Sequence, residues 1–263
     1  MNTAQIGLQG ILFDDKSTFM NGPALAPPLI RKAYHSESSN YYSESGMAII
    51  PETWADKGDY KVNDYFDIEK ITAQNLEGDL PLISLGGDHS ISYPIIKAFA
   101  DLHGPLNILH IDAHGDLYDQ FEGDKFSHAC PFARIMEDKL ASNLVQVGIR
   151  TLSEHQREQA DKFKVRIIEM KDLDDSALPS FNAPLYISLD MDALDPAFAP
   201  GVSHHEPGGM TTRQLIQLIQ NIQAPIVGAD IVEYNPSRDI NGVTSMVCAK
   251  LLKEIAAKII TNH

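Results

Sequence analysis

The stretch Leu106-Asn107-Ile108-Leu109-His110-Ile111-Asp112-Ala113-His114-Gly115-Asp116 decides the fold. Its first six residues form a mostly apolar run, the pattern of a strand covered on both faces. The run ends in Asp112, His114 and Asp116, three side chains able to ligate a metal. Two other runs repeat the pattern: Pro184 to Leu189 leads into Asp190-Met191-Asp192, and Leu82 to Leu85 leads into Gly86-Gly87-Asp88-His89. In open parallel sheets, ligands bind beyond the carboxyl ends of the strands. Three strand ends carrying Asp and His therefore point to one shared metal site.

Working outward, apolar runs alternate with helical patterns. Strands are expected over 6–13, 82–85, 106–111, 144–149, 165–168, 185–189 and 226–231. Helices are expected over 29–34, 66–76, 92–101, 131–140, 153–163, 211–222 and 243–260. Gly22, Pro23, Pro27 and Pro28 mark a loop, and the polar residues 35–46 another. In the helix after Thr211, Leu215, Leu218, Ile219 and Ile222 fall on one face, with Thr211 or Thr212 as N-cap. The strands are continuous apolar runs and do not alternate with polar residues. The expected fold class is α/β, a three-layer α/β/α sandwich around a mainly parallel sheet. With 263 residues and no repeat or evident linker, residues 1–263 are expected to form a single domain.

A formal charge of -15 argues against nucleic acid or an anionic membrane as partner, and is compatible with a small cationic one. No apolar run approaches the ~20 residues that span a bilayer. Cys130 and Cys248 make no disulfide framework. The first residues lack a basic start, so a cytoplasmic location is the expectation.

In an extended chain, residues i, i+2 and i+4 share a side. Asp112, His114 and Asp116 have that parity, as do Asp190 and Asp192, and His89 adds an imidazole after two glycines. One Asp-x-Asp after a strand is ordinarily a turn; the coincidence of three strand ends favours a metal site. Four carboxylates and two imidazoles suit Mn²⁺ or a related ion (Ni²⁺ or Co²⁺) better than a thiolate-binding metal. Six donors are too many for one catalytic ion with open positions. They suit two ions sharing carboxylates, which in catalytic pairs lie roughly 3.5–4 Å apart.

Gly86-Gly87-Asp88-His89-Ser90, the Asp112–Asp116 run and Ser188-Leu189-Asp190-Met191-Asp192-Ala193-Leu194-Asp195-Pro196 resemble the three signatures of the ureohydrolases, the family of arginase and agmatinase. Gly201 to Gly209, Asp230 to Pro236, and Gly22-Pro23 with Ile30-Arg31 extend the likeness over nearly the whole chain. The segment Phe121 to Glu137 is similar to the plant-type arginase branch, in which both arginine and agmatine are hydrolysed. The resemblance implies an arginase-like sandwich and two Mn²⁺ ions. His89, Asp112, Asp116 and Asp190 would hold one ion, and Asp112, His114, Asp190 and Asp192 the other. It also implies a homo-oligomer, a trimer or hexamer.

A guanidinium carbon is a poor electrophile, and two ions sharing a water make that water a stronger nucleophile at neutral pH. Asp116 is expected to take the remaining proton. Glu233, at the end of the 226–231 strand, is expected to grip the guanidinium through two parallel N–H bonds. His128 is expected to protonate the departing amine. His110 has the parity to approach the metals but reads as a residue behind them. The loop before His128 contains Asp124 and Ser127, expected to touch the substrate. A carboxylate at 124 would attract an ammonium and repel an α-carboxylate, which favours agmatine, cleaved to putrescine and urea, over arginine. The alternative is arginase activity, giving ornithine and urea, or hydrolysis of another guanidino acid or guanidine. Two further readings are a one-zinc deacetylase of the same fold and a non-catalytic protein with a vestigial site.

Overall fold

The computed structural model describes residues 4–78, 80–174, 180–181 and 184–262. In chain order the elements are β1 (Ile6–Leu12), α1 (Ala26–Tyr34), β2 (Trp54–Lys61), α2 (Asp67–Asn75), β3 (Leu82–Leu85), α3 (Ser92–His103), β4 (Leu106–Ile111), α4 (Pro131–Glu137), β5 (Ala141–Ile149), α5 (Glu154–Phe163), β6 (Arg166–Glu169), β7 (Leu185–Asp190), α6 (Thr212–Gln220), β8 (Ile226–Val232) and α7 (Val243–Asn262). The strands make one eight-stranded sheet of order β2-β1-β3-β8-β7-β4-β5-β6, and every pairing between them is parallel.

The expected three layers are present. On one face, Ile30 of α1, Leu215 and Ile219 of α6, and Leu252 and Ile255 of α7 pack in one cluster with Leu109, Ile187 and Ile231 of the sheet. On the other, Ile68 of α2, Ile96 and Phe99 of α3 and Phe132 of α4 pack with Leu106, Ile108 and Tyr186. Burial on both faces explains why the central strands carry so little polar alternation.

Thr211, not Thr212, caps α6: its side chain accepts from the Gln214 N–H, and the Gln214 side chain returns to the cap. Pro27 and Pro28, expected in a loop, lie in the first turn of α1, where an absent N–H costs no helical bond. Strand β2 was not expected from the sequence. It pairs only with β1, at the sheet edge, and most of its residues are solvent-facing. An edge strand needs little apolar content, so Ala55-Asp56-Lys57-Gly58-Asp59 carries no strand signature.

The order of the strands positions the site. β3, β8, β7 and β4 are consecutive neighbours at the middle of the sheet, so the segments leaving their carboxyl ends converge. Gly87 permits this convergence. A Cβ there would lie 1.7 Å from the carbonyl oxygen of Phe13, a backbone atom just beyond β1. The Gly87 carbonyl also accepts from the Glu233 N–H at 2.9 Å, tying the β3 and β8 ends together. Gly87→Ala is expected to destabilise the protein by about 1–3 kcal/mol or more. The check is a lowered urea midpoint at unchanged slope.

Candidate metal centre

The six expected ligands surround one region at the ends of β3, β4 and β7. His89 Nδ1 lies 3.1 Å from Asp112 Oδ2, 3.1 Å from Asp116 Oδ2 and 3.2 Å from Asp190 Oδ2. His114 Nδ1 lies 3.1 Å from Asp192 Oδ2 and 3.5 Å from Asp112 Oδ1. Asp112 thus faces both histidines. All six are buried except His114, which is half-buried.

Local turns, and not extended alternation, bring them together. The Asp112 carboxylate accepts from the His114 N–H at 2.6 Å, and the Asp190 carboxylate from the Asp192 N–H at 2.7 Å. Both are side-chain turns that aspartate makes readily. A short 3₁₀ turn, Met191–Ala193, follows β7, and another, His89–Ile91, follows the Asp88 cap beyond β3. Asp116 and Glu233 hold left-handed backbone conformations, with φ of 47° and 62°. Such strain in non-glycine residues concentrates at functional sites, at a cost of about 1–3 kcal/mol each.

The donor set fits metal ions. His89 Nδ1 is buried and has no hydrogen-bond partner in the protein. Its other nitrogen explains this orientation. The buried Asp230 carboxylate accepts from the hydroxyls of Ser188 (2.7 Å), Ser92 (2.9 Å) and Tyr186 (2.9 Å). Ser188 has then spent its proton, so at 3.0 Å it accepts from His89 Nε2–H, leaving the Nδ1 lone pair aimed at the carboxylates. Burial, with the charges of Asp192 and Asp112, pushes the Asp190 carboxyl well above its ordinary range. No Lys or Arg lines the cavity among the described residues. Buried carboxylates of one sign need cations, and His89-His110-Asp112 and Asp112-His114-Asp192 are each close enough to hold one.

Above the cluster lies a cavity of about 200 Å³. Its floor includes His114, Asp116, His128, Asp190, Asp192 and Glu233; Thr18, Tyr118, Phe121, Thr151, Gln156 and His204 also line it. His128 Nδ1 donates to Glu233 Oε1 at 3.0 Å, and the same oxygen accepts from the His89 N–H at 2.9 Å. Thr18 meets His128 Nε2 with its hydroxyl at 2.9 Å. Thr18 carries no motif signal; the segment after β1 reaches the site only through folding. It is tied down by the Lys16 N–H and the Ser17 hydroxyl, both donating to Asp88.

Two expected substrate contacts are placed elsewhere. Asp124 is absent from the cavity lining: Lys16 Nζ holds one carboxylate oxygen at 2.6 Å, and the Phe126 N–H donates to the other at 2.8 Å. Ser127 is buried, and its hydroxyl accepts from the Ala129 N–H at 3.3 Å. Both shape the loop that presents His128. The charge argument for agmatine therefore loses its basis.

Burial would lower the His128 pKa, but the hydrogen bond and charge of Glu233 outweigh it and raise it to about 9. Burial would raise that of Glu233, but His128 holds it below the ordinary value. In the metal-free protein, the raised His128 value contributes stability that is complete below its unfolded pKa near 6.5 and is lost as pH rises through about 9. A histidine titration followed by NMR should show His128 near that value, and Glu233→Gln should move it down.

A family model described as "Arginase family" matches residues 4–257. The chain is 45% identical over 278 residues to mitochondrial arginase 1 of Arabidopsis thaliana, covering 97% of this chain and 81% of that protein. It is 35% identical to mitochondrial agmatinase of Gallus gallus, covering 94% and 78%. The solved arginase from Medicago truncatula superposes with a TM-score of 0.91 at 42% identity, over 98% of this chain and 88% of that one. The names of the Arabidopsis thaliana arginase 1 and the Gallus gallus agmatinase place those proteins in mitochondria, which lends no support to a cytoplasmic location. Among the described residues no helix is long and apolar enough to cross a membrane. With the sheet, the carboxylate–histidine cluster and these likenesses together, the chain belongs to the arginase family of metal-dependent ureohydrolases.

Proposed function

We propose that the chain hydrolyses L-arginine to ornithine and urea with two Mn²⁺ ions. One ion is held by His89, Asp112, Asp116 and Asp190, the other by Asp112, His114, Asp190 and Asp192. The observation that carries the reading is the convergence of these six residues beneath a cavity that also holds Glu233 and His128. Arginine, and not agmatine, is favoured by the withdrawal of Asp124 to Lys16. Among the described residues, no carboxylate lines the cavity apart from Glu233 and the candidate metal ligands, while Thr18, Tyr118, Thr151 and Gln156 offer neutral hydrogen-bonding groups. Such groups can receive an α-carboxylate without like-charge repulsion. The 45% identity to a plant arginase, against 35% to an agmatinase, supports the same choice.

When bound, the ions supply a nucleophile from water at neutral pH. The protein's own groups do the rest. Glu233 accepts two N–H bonds from the guanidinium and orients its carbon toward the cluster. Asp116, on the cavity floor, accepts a proton from the attacking water. His128, kept cationic by Glu233, donates a proton to the amine as it departs. A net -15 charge favours approach of a cationic guanidino substrate. Assembly as a homo-oligomer completes the proposal and is read by light scattering.

Manganese-loaded protein is expected to show a higher kcat/KM for arginine than for agmatine, measured as urea release; the reverse ranking would overturn the substrate assignment. Asp190→Ala should lose urea release and bind fewer than two metal ions per chain by elemental analysis. Unchanged turnover in that variant would remove the metal centre from the reaction.

A further inference from the structure

We propose that His110, fixed in one tautomer by Gln146, is a positioning residue for Asp112 and not a metal ligand. The inference deepens the metal reading above and rests on it for its consequence. By distance alone His110 groups with His89 and Asp112 as a possible ligand. Counting protons assigns it differently.

Gln146 Nε2 lies 2.6 Å from the carbonyl oxygen of Gly115 and 2.9 Å from His110 Nδ1. A carbonyl only accepts, so the amide's nitrogen and not its oxygen faces Gly115. One N–H is spent there, and the other goes to His110 Nδ1. That ring nitrogen is therefore an acceptor and bears no proton. The imidazole's single proton is on Nε2, which lies 2.7 Å from Asp112 Oδ2 and donates to it. A nitrogen carrying a proton has no lone pair for a cation, so His110 cannot ligate one. The ring is fully buried and stacked on Phe132, with centroids 3.8 Å apart and planes 23° from parallel. Gln146 Oε1 is buried without a partner, so the amide's contacts in the interior all run through its nitrogen.

The chain Gly115–Gln146–His110 thus ends on the carboxylate that faces both halves of the cluster. Asp112 Oδ1 accepts from the His114 N–H at 2.6 Å, and Oδ2 accepts from His110. Each oxygen keeps a lone pair. Oδ2 faces His89 and Oδ1 faces His114, so the rotation set by His110 is the one that lets Asp112 serve two ions.

Three measurements test this. First, ¹⁵N shifts of the metal-free protein should report the Nε2–H tautomer for His110. Gln146→Glu, whose carboxylate can only accept, should add a proton at Nδ1 while Nε2–H stays on Asp112, giving the signature of a doubly protonated ring. A ring still in the neutral Nε2–H form in Gln146→Glu overturns the role given to Gln146, whatever the protein does with metal. Second, equilibrium dialysis against Mn²⁺ alone should give two ions per chain for the wild type. His110→Phe, which keeps the stack on Phe132, should still reach two ions but with affinity about ten- to a hundredfold weaker. A stoichiometry of one in His110→Phe would make His110 a ligand and overturn the inference, as would unaltered affinity. Third, Gln146→Glu should weaken Mn²⁺ binding in the same direction, which a purely packing role for the amide would not require. A wild type that binds no Mn²⁺ would defeat the metal reading itself, while the tautomer measurement would still decide the Gln146–His110 link.

Discussion

Four aspartates buried within a few ångströms of each other are the constraint around which this protein is organised. Charges of one sign in a poorly solvated place repel and want protons or cations. Three imidazoles, those of His89, His110 and His114, each approach at least one carboxylate, and His110 donates an N–H to Asp112. The carboxylate charge is a need that divalent ions would satisfy. Around that need, the fold supplies rigid strand ends, side-chain turns and a chain of buried hydrogen bonds.

Those hydrogen bonds reach well behind the candidate ligands. Asp230 collects three hydroxyls, and through Ser188 it turns His89 so that a bare nitrogen faces the cluster. Neighbours of a ligating group of this kind set its tautomer and orientation. Two buried polar residues of β7 and β8, Ser188 and Asp230, are thus tied to the site and would be misread as defects of an apolar core. Arg150 works similarly from the outside, donating to the carbonyls of Asp192 at 2.7 Å and Glu206 at 2.6 Å and so bracing the segment that carries Asp192.

The Glu233–His128 pair shows how a single contact serves several ends. A carboxylate held at the β8 end in a left-handed conformation accepts from His128 Nδ1 and raises the pKa of that imidazole. The same oxygen also receives the His89 N–H, so the segment after β3 and the loop carrying His128 meet at one atom. Lys16–Asp124 and Thr18–His128 close that loop from the β1 side. The loop's position is therefore a product of contacts more than 70 residues apart in sequence.

Read alone, the chain was informative where local rules apply. Continuous apolar runs identified the buried parallel strands, and Asp and His at the ends of three of them marked side chains that the fold brings together, because burial and polar clustering both demand particular residue types at particular places. It was silent about β2, since an edge strand exposed to water needs no apolar pattern. It misplaced Asp124, because the sign of a charge says nothing about its partner, and Lys16 lies 108 residues away. It offered no hint of Thr18 in the cavity. Sequence determined what each strand end carries; the strand order, which makes β3, β8, β7 and β4 neighbours, decided which of those ends meet. Adjacency in a sheet is a long-range property of packing, and no single segment contains it.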